Sequence, residues 1–333
     1  MLVVGGVVLA LLAGCTPERE FTPFAALRAD IAMQRGEQGL AADDLDQALK
    51  EFQTAVDMNP RLAVAHSKVG QVYRLKGDLQ AAAKAFAEAV RLNPFNYDDA
   101  FSLAQAYHQL TRFADAVRAY LHACELKPED FTARLNLGVC YHQAGELTDA
   151  IDCYTRAAQI NPDAPATYTN MGAAYDAQGK YYEAIHAYNE ALERDPNQPM
   201  VLVNLGTTLL KQERFSAARR ALERALEMDD RLAAACERLG YCCFRERAYS
   251  ESLEYYQRAV VLDEKMPEAH AGLGVVRMAL FLQEPANAEL RRQALEHWHR
   301  SLELKPDQPK IRLLLEKYKQ PVENVFPLLS GAP

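Results

Sequence analysis

Basic residues do not outnumber acidic ones in this sequence: 37 Lys and Arg stand against 45 Asp and Glu, a formal charge of −8. Without a basic excess no general field draws in polyanions, so nucleic acid is not an expected partner. Glycine and proline are scarce, 16 each in 333 residues, and apolar residues make up 49%; a mainly disordered chain is excluded. No apolar run reaches the roughly 20 residues that a membrane-spanning helix needs. Gly-x-x-x-x-Gly-Lys, His-Glu-x-x-His and Cys-x-x-Cys do not occur, which leaves phosphate-loop, zincin and dithiol chemistry without a motif. Gly272-Leu273-Gly274 follows no strand pattern, and His297 and His299 stand about 200° apart on a helix, too far round to share a metal. No catalytic residue, metal or cofactor is expected.

What is present begins with residues 2–14, an uncharged apolar run followed by Leu12-Ala13-Gly14-Cys15. The run has the length of a signal-peptide core, and its end resembles the lipobox of bacterial lipoproteins. That resemblance implies cleavage before Cys15, acylation of its thiol and of the new amino terminus, and a lipid anchor on the periplasmic side of a bacterial cell envelope. Several acyl chains hold a protein stably where one does not. No Lys or Arg precedes the run, which leaves the true start open upstream. Thr16 rather than Asp follows the cysteine, and in lipoproteins of enterobacterial type this implies the outer membrane.

Beyond the polar stretch Thr16–Glu20 the chain repeats. Pro60, Pro94, Pro128, Pro162 and Pro196 are spaced by 34 residues, and Asp230 and Glu264 continue the series. With these at position 32, position 8 is Gly36, Gly70, Ala104, Gly138, Gly172, Gly206, Gly240 and Gly274. Position 20 is Ala in six repeats and then Ser252, position 27 is Ala from Ala55 to Ala259, and position 24 carries Phe, Tyr or Leu. Small residues at 8, 20 and 27 let two antiparallel helices approach, and large ones at 7, 11 and 24 fill the gap. The pattern resembles the tetratricopeptide repeat, with only the usual Trp at position 4 missing.

The resemblance implies an all-α fold, a right-handed superhelical α-solenoid of about eight helix-turn-helix repeats with a C-terminal capping helix. The expected division is a signal peptide over 1–14, a tether over 15–28, and repeats over 29–62, 63–96, 97–130, 131–164, 165–198, 199–232, 233–266 and 267–308. A capping helix over 309–320 and a tail over 321–333 complete it. The eighth repeat needs eight extra residues around Gln283–Leu290 to bring Ala294, Trp298 and Pro306 into register, lengthening either the inter-helix loop or the first helix. Gly77, Gly145 and Gly179 suit a left-handed residue after the first helix, and Pro165, Pro199 and Pro267 suit first turns. The tail, with Val325, Phe326, Leu328 and Leu329, reads either as frayed or as a short docking peptide.

Six cysteines follow Cys15. Cys153, Cys236, Cys242 and Cys243 read as buried thiols, and Cys124 and Cys140 are the one pair worth testing for a bridge. In arrays of this family the first helices line the concave side, so positions 2, 5, 6, 9, 12 and 13 face a ligand. Position 6 carries Asn136, Asn170 and Asn204 in consecutive repeats and Arg238 in the next. An amide both donates and accepts, so a row of them suits an extended peptide backbone; the row is similar to the asparagine ladder in the repeats of O-linked N-acetylglucosamine transferases. A solvated consensus asparagine is the alternative. Position 12 adds Arg74, His108, His142 and Asp176, and position 13 adds Gln109 and Gln143. The carboxylate clamp of chaperone-binding repeats is matched at two of five places in the frame Thr169, Ala173, Asn204, Ala234 and Arg238, so a free C-terminal carboxylate is not the expected ligand.

The reading is a membrane-anchored, monomeric scaffold that binds a protein or extended peptide and has no catalytic activity. Pilus biogenesis and recruitment of cell-wall enzymes are the kinds of process it would serve. A self-associating structural array, and an envelope enzyme subunit using His108 and His142, are the alternatives.

Overall fold

Helices that present glycine or alanine toward one neighbour can approach it closely, and the structure is built from that contact. The computed structural model describes residues 23–319; the apolar run, Cys15 and the tail with Val325, Phe326, Leu328 and Leu329 lie outside the described residues. Two compact parts form, one ending at Ala133 and one beginning at Arg134. The first holds α1 (Pro23–Ala41), α2 (Leu45–Met58), α3 (Ala63–Leu75), α4 (Leu79–Leu92), α5 (Tyr97–Gln109) and α6 (Phe113–Leu126). The division falls within α7 (Phe131–Ala144), and the second part continues with α8 (Leu147–Ile160), α9 (Pro165–Ala177), α10 (Tyr181–Arg194), α11 (Pro199–Lys211), α12 (Phe215–Met228) and α13 (Ala233–Arg245). It ends with α14 (Tyr249–Leu262), α15 (Pro267–Gln283), α16 (Ala288–Leu304) and α17 (Pro309–Tyr318). No strand occurs among the described residues, and no helix there is long and apolar enough to cross a membrane.

Odd-numbered helices up to α15 are the first of each repeat and even-numbered ones the second. Their contact is tight at position 8: a methyl added to Gly138 would lie 2.6 Å from the Tyr154 ring, and one added to Gly172 would lie 2.7 Å from that of Tyr188. The alanines at positions 20 and 27, such as Ala150 and Ala157 on α8, are fully buried. Burial of these faces against neighbouring helices supplies the stability that propensity alone does not.

Two devices punctuate the chain. Position 15 is left-handed in seven repeats: Gly77, Gly145 and Gly179 have φ of +79, +84 and +75°, and Asp43, Thr111, Glu213 and Arg247 adopt 56 to 63° without being glycine. At position 31, Asn59, Asn93, Asn161, Asp195, Asp229 and Asp263 each accept a hydrogen bond on the side-chain oxygen from the backbone N–H two residues on. This Asx turn redirects the chain just before position 32.

The structure corrects three boundaries. Residues 23–28, read as tether, are the first turns of α1, where Phe24 and Leu27 are exposed. Pro23 suits a first turn and Phe-Ala-Ala-Leu continues it, so the helix starts six residues ahead of Ala29. The insertion in the eighth repeat is shared: compared with α9 and α10, α15 gains four residues and α16 three, while the loop between them gains one. The capping helix α17 ends at Tyr318, short of 320.

Candidate partner-binding face

Position 6 lies two residues, about 200° round the helix, from the glycine that meets the second helix. Asn136 on α7, Asn170 on α9 and Asn204 on α11 therefore sit on the opposite face of three successive first helices, and all three are half-buried. Among the described residues no group hydrogen-bonds to any of these three side-chain amides. Each keeps its donors and its acceptor for something else. Packed helices stand about 10 Å apart, which is roughly three residues of extended peptide.

Other sequence-predicted residues are already committed. Asp176 on α9 accepts from Thr208 Oγ1 at 2.8 Å and pairs with Lys211 Nζ at 2.5 Å, so its carboxylate clips α9 to α11 rather than waiting for a ligand. Arg238 on α13 donates from Nε to Thr207 Oγ1 at 2.6 Å and from Nη1 to the Ala234 carbonyl, with Glu237 beside it at 3.3 Å. Both were read as groove ligands, and both have partners inside the protein: Asp176 is paired with Lys211 of the next repeat, and Arg238 is held by Thr207 of the preceding one and by adjacent Glu237. Glu237 is half-buried on the same face; burial raises its carboxyl above the usual range, Arg238 opposes that, and Glu268 adds to it.

His142 is half-buried in the last turn of α7 and Gln143 beside it is exposed. In the first part, Arg74 on α3 and Gln109 on α5 are exposed, and His108 is half-buried with its ring edge-on to Phe113 at 6.1 Å. Burial pushes both His108 and His142 below the ordinary imidazole value, so both are neutral at pH 7. Neither belongs to a metal-ligating group; among the described residues no three His, Cys, Asp or Glu side chains converge in that way. Cys124, Cys140, Cys153, Cys236, Cys242 and Cys243 are all buried thiols, and burial pushes those of Cys140 and Cys242 up to about 12. Such thiols are poor nucleophiles.

Three cavities open elsewhere, of about 450, 250 and 520 Å³. They lie in furrows beside the second helices, and none is lined by the asparagines. A row of amides on successive helices suits an extended chain. One pairing escaped the sequence reading: His270 on α15 and His297 on α16 stack with ring centroids 5.4 Å apart.

The fold places the chain in the helical-repeat class, an all-α array of helix pairs. The chain belongs to the tetratricopeptide-repeat family whose model is described as the cilia and flagella-associated protein 70 C-terminal domain, matched over residues 70–273. A second model, described as tetratricopeptide repeat, matches residues 27–97. No curated protein sequence matches the chain. Among similar solved structures, the APC/C hetero-tetramer Cut9–Hcn1 is 15% identical with a TM-score of 0.57, covering 87% of this chain and 56% of that one. The pilF protein of Pseudomonas aeruginosa is 17% identical with a TM-score of 0.51, covering 62% of this chain and 94% of that one. YrrB, described as a TPR protein with an unusual peptide-binding site, is 25% identical with a TM-score of 0.48, covering 60% and 99%. The first two likenesses show the fold.

Proposed function

We propose that the chain is a non-catalytic scaffold, tethered through a lipidated Cys15 to a bacterial envelope membrane, that holds an extended segment of a partner protein along Asn136, Asn170 and Asn204. The observation that carries the binding reading is the set of three half-buried amides on successive first helices, to which no other described residue bonds. Amide-to-backbone hydrogen bonds hold a peptide whatever its side chains are, so specificity falls to flanking groups such as Glu237 and His142. The anchor reading rests on Leu12-Ala13-Gly14-Cys15 after an uncharged apolar run. A tethered, peptide-holding array fits assembly work at the envelope, such as pilus biogenesis or recruitment of cell-wall enzymes.

Photoreactive residues placed at 142 and 170 should crosslink one recurrent envelope protein in cells, and a probe at Arg220, on a second helix, should not. Changing all three asparagines to Ala should weaken that partner by about 3 kcal/mol, roughly two orders of magnitude in Kd. Unchanged affinity would refute the groove. Only self-adducts would point to a structural array. Cys15→Ser should release the protein from membranes; retention would remove the anchor and leave the groove standing.

A further inference from the structure

The furrow between first and second helices recurs at fixed positions. Positions 4, 7 and 23 line the open cavities of the third, fifth and sixth repeats, through Ala100, Leu103 and Ala119 in the third. Counted with its eight extra residues, the eighth repeat places His270 at position 4 and His297 at position 23. Position 11, tyrosine in the second to fifth repeats, is Arg277.

Arg277 is only 9% exposed. Its Nε donates to Gln293 Oε1 at 3.0 Å, while Nη1 is buried and has no partner among the described residues. Among the described residues Arg277 forms no ion pair, and the carboxylates of α16 are taken, Glu289 and Glu296 by Arg292 and Glu303 by Arg300. The charges acting on His297 are those of Arg277 and His270, both unfavourable to its protonation. A buried guanidinium with an unmet N–H and no counter-charge is costly unless something negative joins it. A cation is the wrong ligand here, because Arg277 would repel it.

The histidine protons can be placed by elimination. His270 Nε2 lies 3.1 Å from the Glu264 carbonyl, which only accepts, so that nitrogen carries its hydrogen. With a single proton, at Nε2, His270 has a bare Nδ1 that accepts from His297 Nδ1, 3.1 Å away. This leaves Nε2 of a neutral His297 bare. Taking up a proton there creates a second donor beside Arg277, which an arriving anion would stabilise.

We propose that Arg277, His297 and His270 form a site for a phosphate-sized oxyanion, with Arg277 the permanent charge, His297 a donor charged on binding, and His270 the residue that orients His297. Half-buried His297 keeps the cluster in contact with solvent. The site is independent of the asparagine face.

Isothermal titration of the full chain with inorganic phosphate, at constant ionic strength and in buffers of different ionisation enthalpy, tests this. One saturable site with net proton uptake near neutral pH is expected. Glycerol phosphate, carrying the same group on a carbon stem, shows by binding or not whether the site takes monoesters or only the free ion. Arg277→Leu, which gives position 11 the residue it has at Leu209, should weaken phosphate at least about tenfold. His297→Gln should bind more weakly with no proton uptake. Circular dichroism checks that each variant is folded, and should Arg277→Leu fail to fold, His297→Gln decides alone. Absence of a saturable site, or variants that bind as the parent does, would overturn the proposal.

Discussion

At the scale of single residues, His297 governs a measurable property even without a ligand. Burial, then Arg277, then His270 push its imidazole down to about 4 from the ordinary 6.5. Between those values the unfolded chain binds a proton that the folded chain refuses, so stability present above pH 6.5 is lost as the pH falls toward 4 and changes no further below it. Linkage alone gives about 3 kcal/mol for such a shift, and the partial exposure of His297 to water cuts the expected loss to roughly 2 kcal/mol. Urea titrations between pH 7 and pH 4 should show it, and His297→Gln should remove that share of the slope. His108 and His142 are shifted in the same direction by burial, so a smaller acid-sensitive slope remains in the variant. A slope unchanged by His297→Gln would mean that the ring is less protected from water than its packing indicates.

At the scale of elements, the loop after the first helix turns left-handed at position 15 in the first seven repeats whatever the residue there. Thr111 adopts φ of +56° there, a conformation that a β-branched residue tolerates poorly. Thr111→Gly should relieve about 1–2 kcal/mol of strain and add back about 0.4–1 in unfolded-chain freedom. The net gain of up to about 1.6 kcal/mol would appear as a higher denaturation midpoint with unchanged slope. Much at this scale is legible in the sequence, because glycine at 8 and alanine at 20 and 27 mark both helices of a pair. The shared insertion was legible too: Pro285 forbids helix at Glu284 and stops α15 at Gln283. A period anchored on distant prolines hides such local signals, as it hid the early start of α1 at Pro23. The candidate site was less legible. The repeat frame gives the face of Asp176 and Arg238, but their partners Lys211 and Thr207 lie 35 and 31 residues away along the chain, and only the packing of successive helices brings them together. The cluster of Arg277 and His297 remained hidden because the two lie 20 residues apart on α15 and α16, and only the packing of those helices shows that Arg277 meets Gln293 and no carboxylate.

At the scale of the molecule, repeats stabilised by packing on their own neighbours have no single core to hold every part to one stability. The eighth repeat has a neighbouring repeat on one side and the short α17 on the other, tied by Arg291, which donates to the Tyr318 carbonyl at 3.1 and 2.8 Å. It also holds the chain's one tryptophan. Trp298 is 1% exposed, donates to the Ala271 carbonyl at 3.2 Å and packs 6.1 Å from the Tyr318 ring, so its fluorescence reports on α15, α16 and α17 and on little else. Guanidinium unfolding followed by Trp298 emission should therefore have a lower midpoint than unfolding followed by far-ultraviolet circular dichroism, which averages over all helices. Arg291→Ala, which frees the end of α17, should widen the gap by lowering the fluorescence midpoint alone. Coincident midpoints in both proteins would instead mean that the array unfolds as one cooperative unit. The same pair of signals separates local from global stabilisation, since a phosphate ion held by Arg277 stabilises only the folded eighth repeat and should raise the Trp298 midpoint while leaving most of the circular-dichroism transition in place.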